Sequence, residues 1–143
     1  MEVGVDHHKL APEQFFTGLL AAIRIRKDQA EPVIEGEPTE VHRAFYRVLK
    51  ELQKGTNLDV DLFEVDYDPL YGQSGWFDRA LTTAQRDAVL GFANPSYKKI
   101  IIKYSQEEGS RILESLGSRE EFLRLADIFT TSLSRAARRS SSF

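Results

Sequence analysis

Arg79, Thr82, Thr83 and Arg86 recur on one side of a short amphipathic stretch, and Lys98, Lys99 and Lys103 follow it. Guanidinium and hydroxyl groups can reach base edges, and ammonium groups can meet phosphates. A duplex-DNA contact would use such a set. Asp78 and Asp87 interrupt it, and Asp61, Glu64, Asp66 and Asp68 precede it. Those carboxylates repel phosphate. The competing expectation is a solvated helix face of mixed charge.

Other residues with chemical potential carry less. Asp59, Asp61, Glu64, Asp66 and Asp68 crowd one region, and His7 and His8 are adjacent. Hard cations take carboxylate oxygens, but an EF-hand loop needs a central glycine that is missing here. Alternating acids more often mark the wet face of a strand. No metal and no cofactor is expected. His42 is a lone base without an evident nucleophile or orienting partner. There is no GxSxG, HExxH, GxGxxG or P-loop, so the chain does not read as an enzyme.

Composition narrows the classes further. The absence of cysteine excludes disulfide scaffolds, thiolate metal sites and a cysteine nucleophile. With 41% hydrophobic and 29% charged residues, the chain can build a core and is neither disordered nor rod-like. Its 143 residues suit a single domain spanning 1–143. The start, MEVGVDHHKLAPEQ, lacks the basic-then-apolar pattern of a secretory signal. No apolar run reaches the length of a membrane span. A cytoplasmic chain without membrane contact is the expectation. Net charge is −3, but residues 98–143 hold nine bases against six acids, and residues 61–97 six acids against two bases. The chain is a weak dipole, acidic in the middle and basic at its end.

Five helices and two strands must position these groups. Phe15, Phe16, Leu19, Leu20 and Ile23 form the stripe of a first helix over 12–27, with Pro12 in its first turn. Val41, Ala44, Phe45, Val48, Leu49 and Leu52 form the stripe of a second, with Thr39 as N-cap and Gly55 as stop. Its opposite face holds Arg43, Arg47, Lys50 and Glu51. LDVDLFEVDY at 58–67 reads as a strand with Phe63, Val65 and Tyr67 facing inward. Ser74 caps a third helix running to about Leu90, with Trp76 packed at its entry and Gly91 and Asn94–Pro95 ending it. YKKIIIKY at 97–104 is the second strand. Two capping boxes, Ser105 with Glu108 and Ser118 with Glu121, open the last two helices. The final helix, over 119–137, carries Phe122, Leu125, Ala126, Phe129 and Leu133, and residues 138–143 read as a flexible tail. Phe45, Leu49, Leu81, Ile100, Ile102 and Phe129 are expected to share one core. The fold class is mainly α (α+β), a helical domain with a small two-stranded antiparallel ribbon.

The stretch from Val41 to Leu113 resembles small uncharacterised bacterial proteins with a winged-helix-like core. VHRAFYRVLKEL, FEVDYDPLYGQSGWFDRAL and AVLGFANPSYKKIIIKYS carry the resemblance, with LYGQS at 70–74 in place of the usual Pro-Tyr-Ser turn. It implies that the third helix is a recognition element and the strands a wing, with the terminal helices packing on that core. The function it implies is DNA-associated regulation, with duplex DNA as partner. Homodimerisation through the terminal helices is expected by the same analogy. The rival is a non-enzymatic protein–protein interaction module, in which Phe16, Trp76 and Phe92 at element ends meet a partner.

Overall fold

The computed structural model describes residues 9–27, 33–54, 58–70, 72–86, 90–92 and 99–141, with the backbone alone at 86, 90–92, 99 and 135–141. The chain is mainly helical with a small antiparallel sheet, as its periodicity implies. The order is α1 (Pro12–Arg26), β1 (Val33–Glu35), α2 (Pro38–Gln53), α3 (Gly75–Arg86), β2 (Leu90–Phe92), β3 (Lys99–Ile102), α4 (Gln106–Leu116) and α5 (Arg119–Ser141).

Prolines at the first turns of α1 and α2 supply a fixed helical φ where no N–H is needed. At the start of α1 the Gln14 Oε1 accepts the Ala11 N–H at 2.8 Å. At the start of α2 the Glu40 Oε1 accepts the Glu37 N–H at 3.0 Å. Glu37, not Thr39, is therefore the N-cap of α2, because Pro38 favours an earlier start. Gly55 lies outside the described residues, as do Asn94 and Pro95.

The sheet has three strands in the order β1-β3-β2, both pairings antiparallel. Glu35 pairs with Lys99 on one side of β3, and Leu90 with Ile102 on the other. The central strand is the expected aliphatic one, and Ile100 and Ile102 are buried. Its partners differ from the sequence reading. Residues 58–67 are not a strand but an irregular segment joined to Leu10 by a single parallel bridge at Val60. The acids there serve turns rather than a wet strand face. Asp61 Oδ1 accepts the Phe63 N–H at 3.1 Å, and Asp68 Oδ1 accepts the Leu70 N–H at 2.9 Å. Such Asx-type contacts compete with ladder pairing. Phe63 points outward at 95% exposure. The third helix ends at Arg86, and Leu90 and Gly91 belong to β2.

The core is one cluster containing Phe45, Leu49, Leu81, Ile100, Ile102 and Phe129 together. α1 packs on α4 and α5, and α2 packs on α5. The close approach of α1 to α5 requires Gly18, since a Cβ there would run into the Phe122 ring. The described apolar residues of the α1 and α5 stripes are buried within the chain.

The two expected capping boxes part company. Ser105 Oγ accepts the Glu108 N–H at 3.0 Å, and Glu108 Oε1 accepts the Ser105 N–H at 2.9 Å. These bonds hold the Glu108 carboxyl below its ordinary range. Ser105→Ala is expected to cost about 1 kcal/mol in a denaturant melt. A change too small to resolve would show that the box adds nothing. Ser118 instead sits at φ 55, following Gly117 at φ 77. An N-cap side chain needs extended backbone to reach its N–H. The Glu121 carboxylate is taken by Arg124 Nε at 2.8 Å.

Candidate binding surfaces

α3 starts at a crowded polar junction. Ser74 Oγ accepts the Phe77 N–H at 3.0 Å, which makes Ser74 the expected cap. Asp66 accepts the Trp76 N–H at 2.9 Å and the Gly75 N–H at 3.3 Å. The bond from Trp76, then that from Gly75 and the nearby Arg79 charge, hold the Asp66 carboxyl below its ordinary range against a smaller opposing effect of burial. A carboxylate therefore occupies the positive end of α3, where a recognition helix would meet phosphate.

The residues expected to meet nucleic acid separate around this helix. Arg79 and Thr83 line a cavity of about 480 Å³ between α1 and α3, with Glu13 and Glu64 also in its walls. Thr82 turns to the other side, lining a small cavity with His42, and its hydroxyl donates to the Asp78 carbonyl at 3.1 Å. Lys103 is exposed just past β3. Lys99 enters the sheet opposite Glu35. The side chains of Arg86 and Lys99, and the whole of Lys98, lie outside the described residues. The described outward groups of α3 are Asp78, Arg79, Thr82, Thr83 and Gln85, which is a face of mixed charge.

A more strongly cationic surface lies on α2. Arg43, Arg47 and Lys50 are exposed at i, i+4 and i+7, on the face opposite the core. Tyr46 and Tyr67 stack beside them with centroids 4.0 Å apart and rings 6° from parallel. The Lys50 ammonium sits 5.5 Å from the Tyr46 ring. Shallow grooves flank the ridge. One, about 370 Å³, runs between α2 and the Tyr67–Pro69 segment. The other, about 300 Å³, runs between Arg47 and the Arg124–Ser132 side of α5.

The carboxylates bordering this ridge are already engaged. Glu51 meets Arg124 at 3.0 Å and Lys54 at 3.2 Å, which lowers its carboxyl from the ordinary value. Glu121 also pairs with Arg124, and Asp127 pairs with Arg26 at 3.1 Å. Asp68 and Glu40 accept backbone N–H groups. Among the described residues Arg43 and Arg47 have no ion pair, and Lys50 has only its tyrosine. The sequence carried the signal as spacing, three cations on the polar side of the clearest helix, but spacing alone does not tell paired cations from unpaired ones.

His42 is buried and structural. Its Nδ1 accepts the Ser74 N–H at 2.9 Å, and its ring meets Phe77 edge-on at 4.9 Å. The contact runs to the Ser74 backbone, while Ser74 Oγ serves the helix cap, so the pair is no catalytic dyad. Burial lowers the His42 pKa below 6.5, with a smaller opposing effect from Asp78. A depressed histidine makes the unfolded chain bind the proton first. Stability is then full above the unfolded value and falls as pH drops through the window below 6.5. In His42→Asn this part of the pH slope should disappear. Melts between about pH 7 and pH 5 check it, and parallel slopes for the two proteins would refute it.

No three metal-ligating side chains converge among the described residues, and no described helix is long and apolar enough to cross a membrane. Comparison with known protein families, with curated proteins and with solved structures finds no match for this chain.

Proposed function

We propose that this chain is a non-enzymatic, DNA-associated regulatory protein, of the winged-helix type that Val41–Leu113 resembles, which meets the phosphate backbone through α2. One observation carries this reading. Three exposed cations stand in a row without ion pairs among the described residues, while Glu40, Glu51, Asp68, Glu121 and Asp127 around them are bonded elsewhere. A row held apart from them, in a chain of net charge −3, favours a polyanionic partner. The two flanking grooves give room for strand backbones on either side of the ridge. The α3 residues Arg79, Thr82, Thr83 and Arg86, with Lys98, Lys99 and Lys103, form the rival contact face within the same function.

The test is a mobility-shift titration on mixed-sequence duplex fragments at low salt. Binding at micromolar protein is expected, weakening steeply with added salt. No shift under those conditions removes the proposal, because even non-specific binders associate once counterion competition is weak.

A protein–protein interaction module is the second reading, favoured by Phe63 at 95% and Leu70 at 81% exposure on the irregular segment before α3. On that reading Phe63→Ser with Leu70→Ser abolishes a concentration-dependent rise in mass by sedimentation, and the nucleic-acid titration is blank.

A further inference from the structure

The cavity between α1 and α3 has a composition that the α2 ridge does not explain. Phe16, Leu20, Trp76, Ala80 and Ala84 supply apolar wall. Its volume, about 480 Å³, is in the range of small-molecule sites. Tyr104 lines it as well, and its main chain is tied to α1. The Arg24 guanidinium is buried and donates from Nε to the Tyr104 carbonyl at 2.6 Å. Burial, with Glu108 adding to it, raises the Tyr104 phenol above its ordinary pKa, so it is neutral.

Several polar groups of the cavity have no hydrogen-bond partner among the described residues. Trp76 is only 7% exposed, yet among the described residues no acceptor meets its indole N–H. A buried indole ordinarily finds a partner, because an unpaired donor away from water is costly. The exposed side chains of Glu13, Glu64 and Thr83 make no hydrogen bond or ion pair among the described residues. Arg79 senses the Asp66 carboxylate electrostatically but forms no ion pair with it. The lining residues therefore bring two carboxylates, one guanidinium and a tryptophan with an unpartnered indole N–H together with apolar wall.

That combination selects by charge and by shape. A simple anion meets two carboxylates, and a simple cation leaves the indole N–H without an acceptor. A zwitterion satisfies both sets. We propose that the α1–α3 cavity binds a hydrophobic α-amino acid. Its ammonium would face Glu13 and Glu64, its carboxylate would face Arg79 and the Trp76 indole N–H, and its ring-sized side chain would lie on the apolar floor. Carboxylate recognition by a guanidinium adds geometric selectivity to the charge. The site uses none of the α2 cations, so its test does not depend on nucleic acid.

Trp76 is the only tryptophan in the chain, so its fluorescence reports the cavity directly. The probe is L-phenylalanine, whose absorption does not overlap selective indole excitation. Its titration should give a saturable emission change. Phenethylamine, lacking the carboxylate, and 3-phenylpropionate, lacking the ammonium, should each bind at least about tenfold more weakly, the scale of one missing charged hydrogen bond. Arg79→Ala should weaken L-phenylalanine by about tenfold and leave phenethylamine unchanged. Arg79 is exposed, so this variant folds, and the ligand comparison needs no variant. A linear, unsaturated response up to about 10 mM overturns the proposal, since that is weaker than any built site. So does equal affinity for the three ligands, or an Arg79→Ala protein that binds L-phenylalanine as well as the wild type.

Discussion

Phe45→Ala should lower the unfolding free energy by about 3–5 kcal/mol, the range for emptying a fully buried phenylalanine site. Phe45 has no exposed surface and lies where α1, α2 and α3 meet. Its ring stacks on Phe77 with centroids 4.3 Å apart and 17° between planes. It also stacks on Trp76 at 6.0 Å and tilts against Phe15 at 6.5 Å. Phe15 continues the contact to Phe122 on α5 at 6.3 Å. Removing one ring leaves its neighbours facing a void that such large, mutually wedged groups fill poorly. The loss is a large part of the about 5–15 kcal/mol that holds a domain of this kind. Urea melts of wild type and variant give the number. A loss below about 1 kcal/mol would mean that the ring is not central to the core.

Local rules make the helices legible from the residues alone, whereas the sheet depends on partners far along the chain. The stripe Val41, Ala44, Phe45, Val48, Leu49, Leu52 accounts for every buried residue of α2 except His42. Ser74 and Ser105 announce their caps because the bond each makes closes within three residues. β1 is only three residues long, Val33–Glu35, inside a stretch dominated by proline and acids, and it exists because β3 offers it a ladder. No local pattern contains that partner. The segment 58–67 misleads for the converse reason. Its alternation is that of a strand, yet Asp61 and, just beyond the segment, Asp68 fix local turns, and Asp66 caps the start of α3. Ser118 has the letters of a capping box, but the Glu121 carboxylate accepts from Arg124. The candidate sites follow the same division. The row Arg43, Arg47, Lys50 is visible as spacing, whereas its lack of acidic partners is a property of α5 and the loop folding around it. The cavity at Trp76 joins α1, α3, Glu64 and Tyr104, which only the tertiary structure brings together.

Replacing Arg43, Arg47 and Lys50 together by alanine should flatten the salt dependence of duplex binding by about 2.7 units of slope, near 0.9 for each phosphate no longer neutralised. Affinity should fall for all sequences alike, because phosphate contacts position a protein without reading bases. Stability should stay within about 1 kcal/mol, since the three side chains are exposed and make no ion pair among the described residues. Lys50 also leaves the Tyr46 ring, a contact of about 0.5 kcal/mol at an exposed position. The matched variant changes Lys98, Lys99 and Lys103 instead. If the α2 row is the contact face, that second variant keeps most of the slope, and the two effects add when all six residues are changed only to the extent that both faces touch the strand. If the α3–β3 side is the contact face, the order reverses, and Arg79→Ala then alters sequence preference more than overall affinity. An α2 variant that binds with the wild-type slope would sink the α2 assignment, because three cations cannot contact phosphate without releasing counterions when they bind.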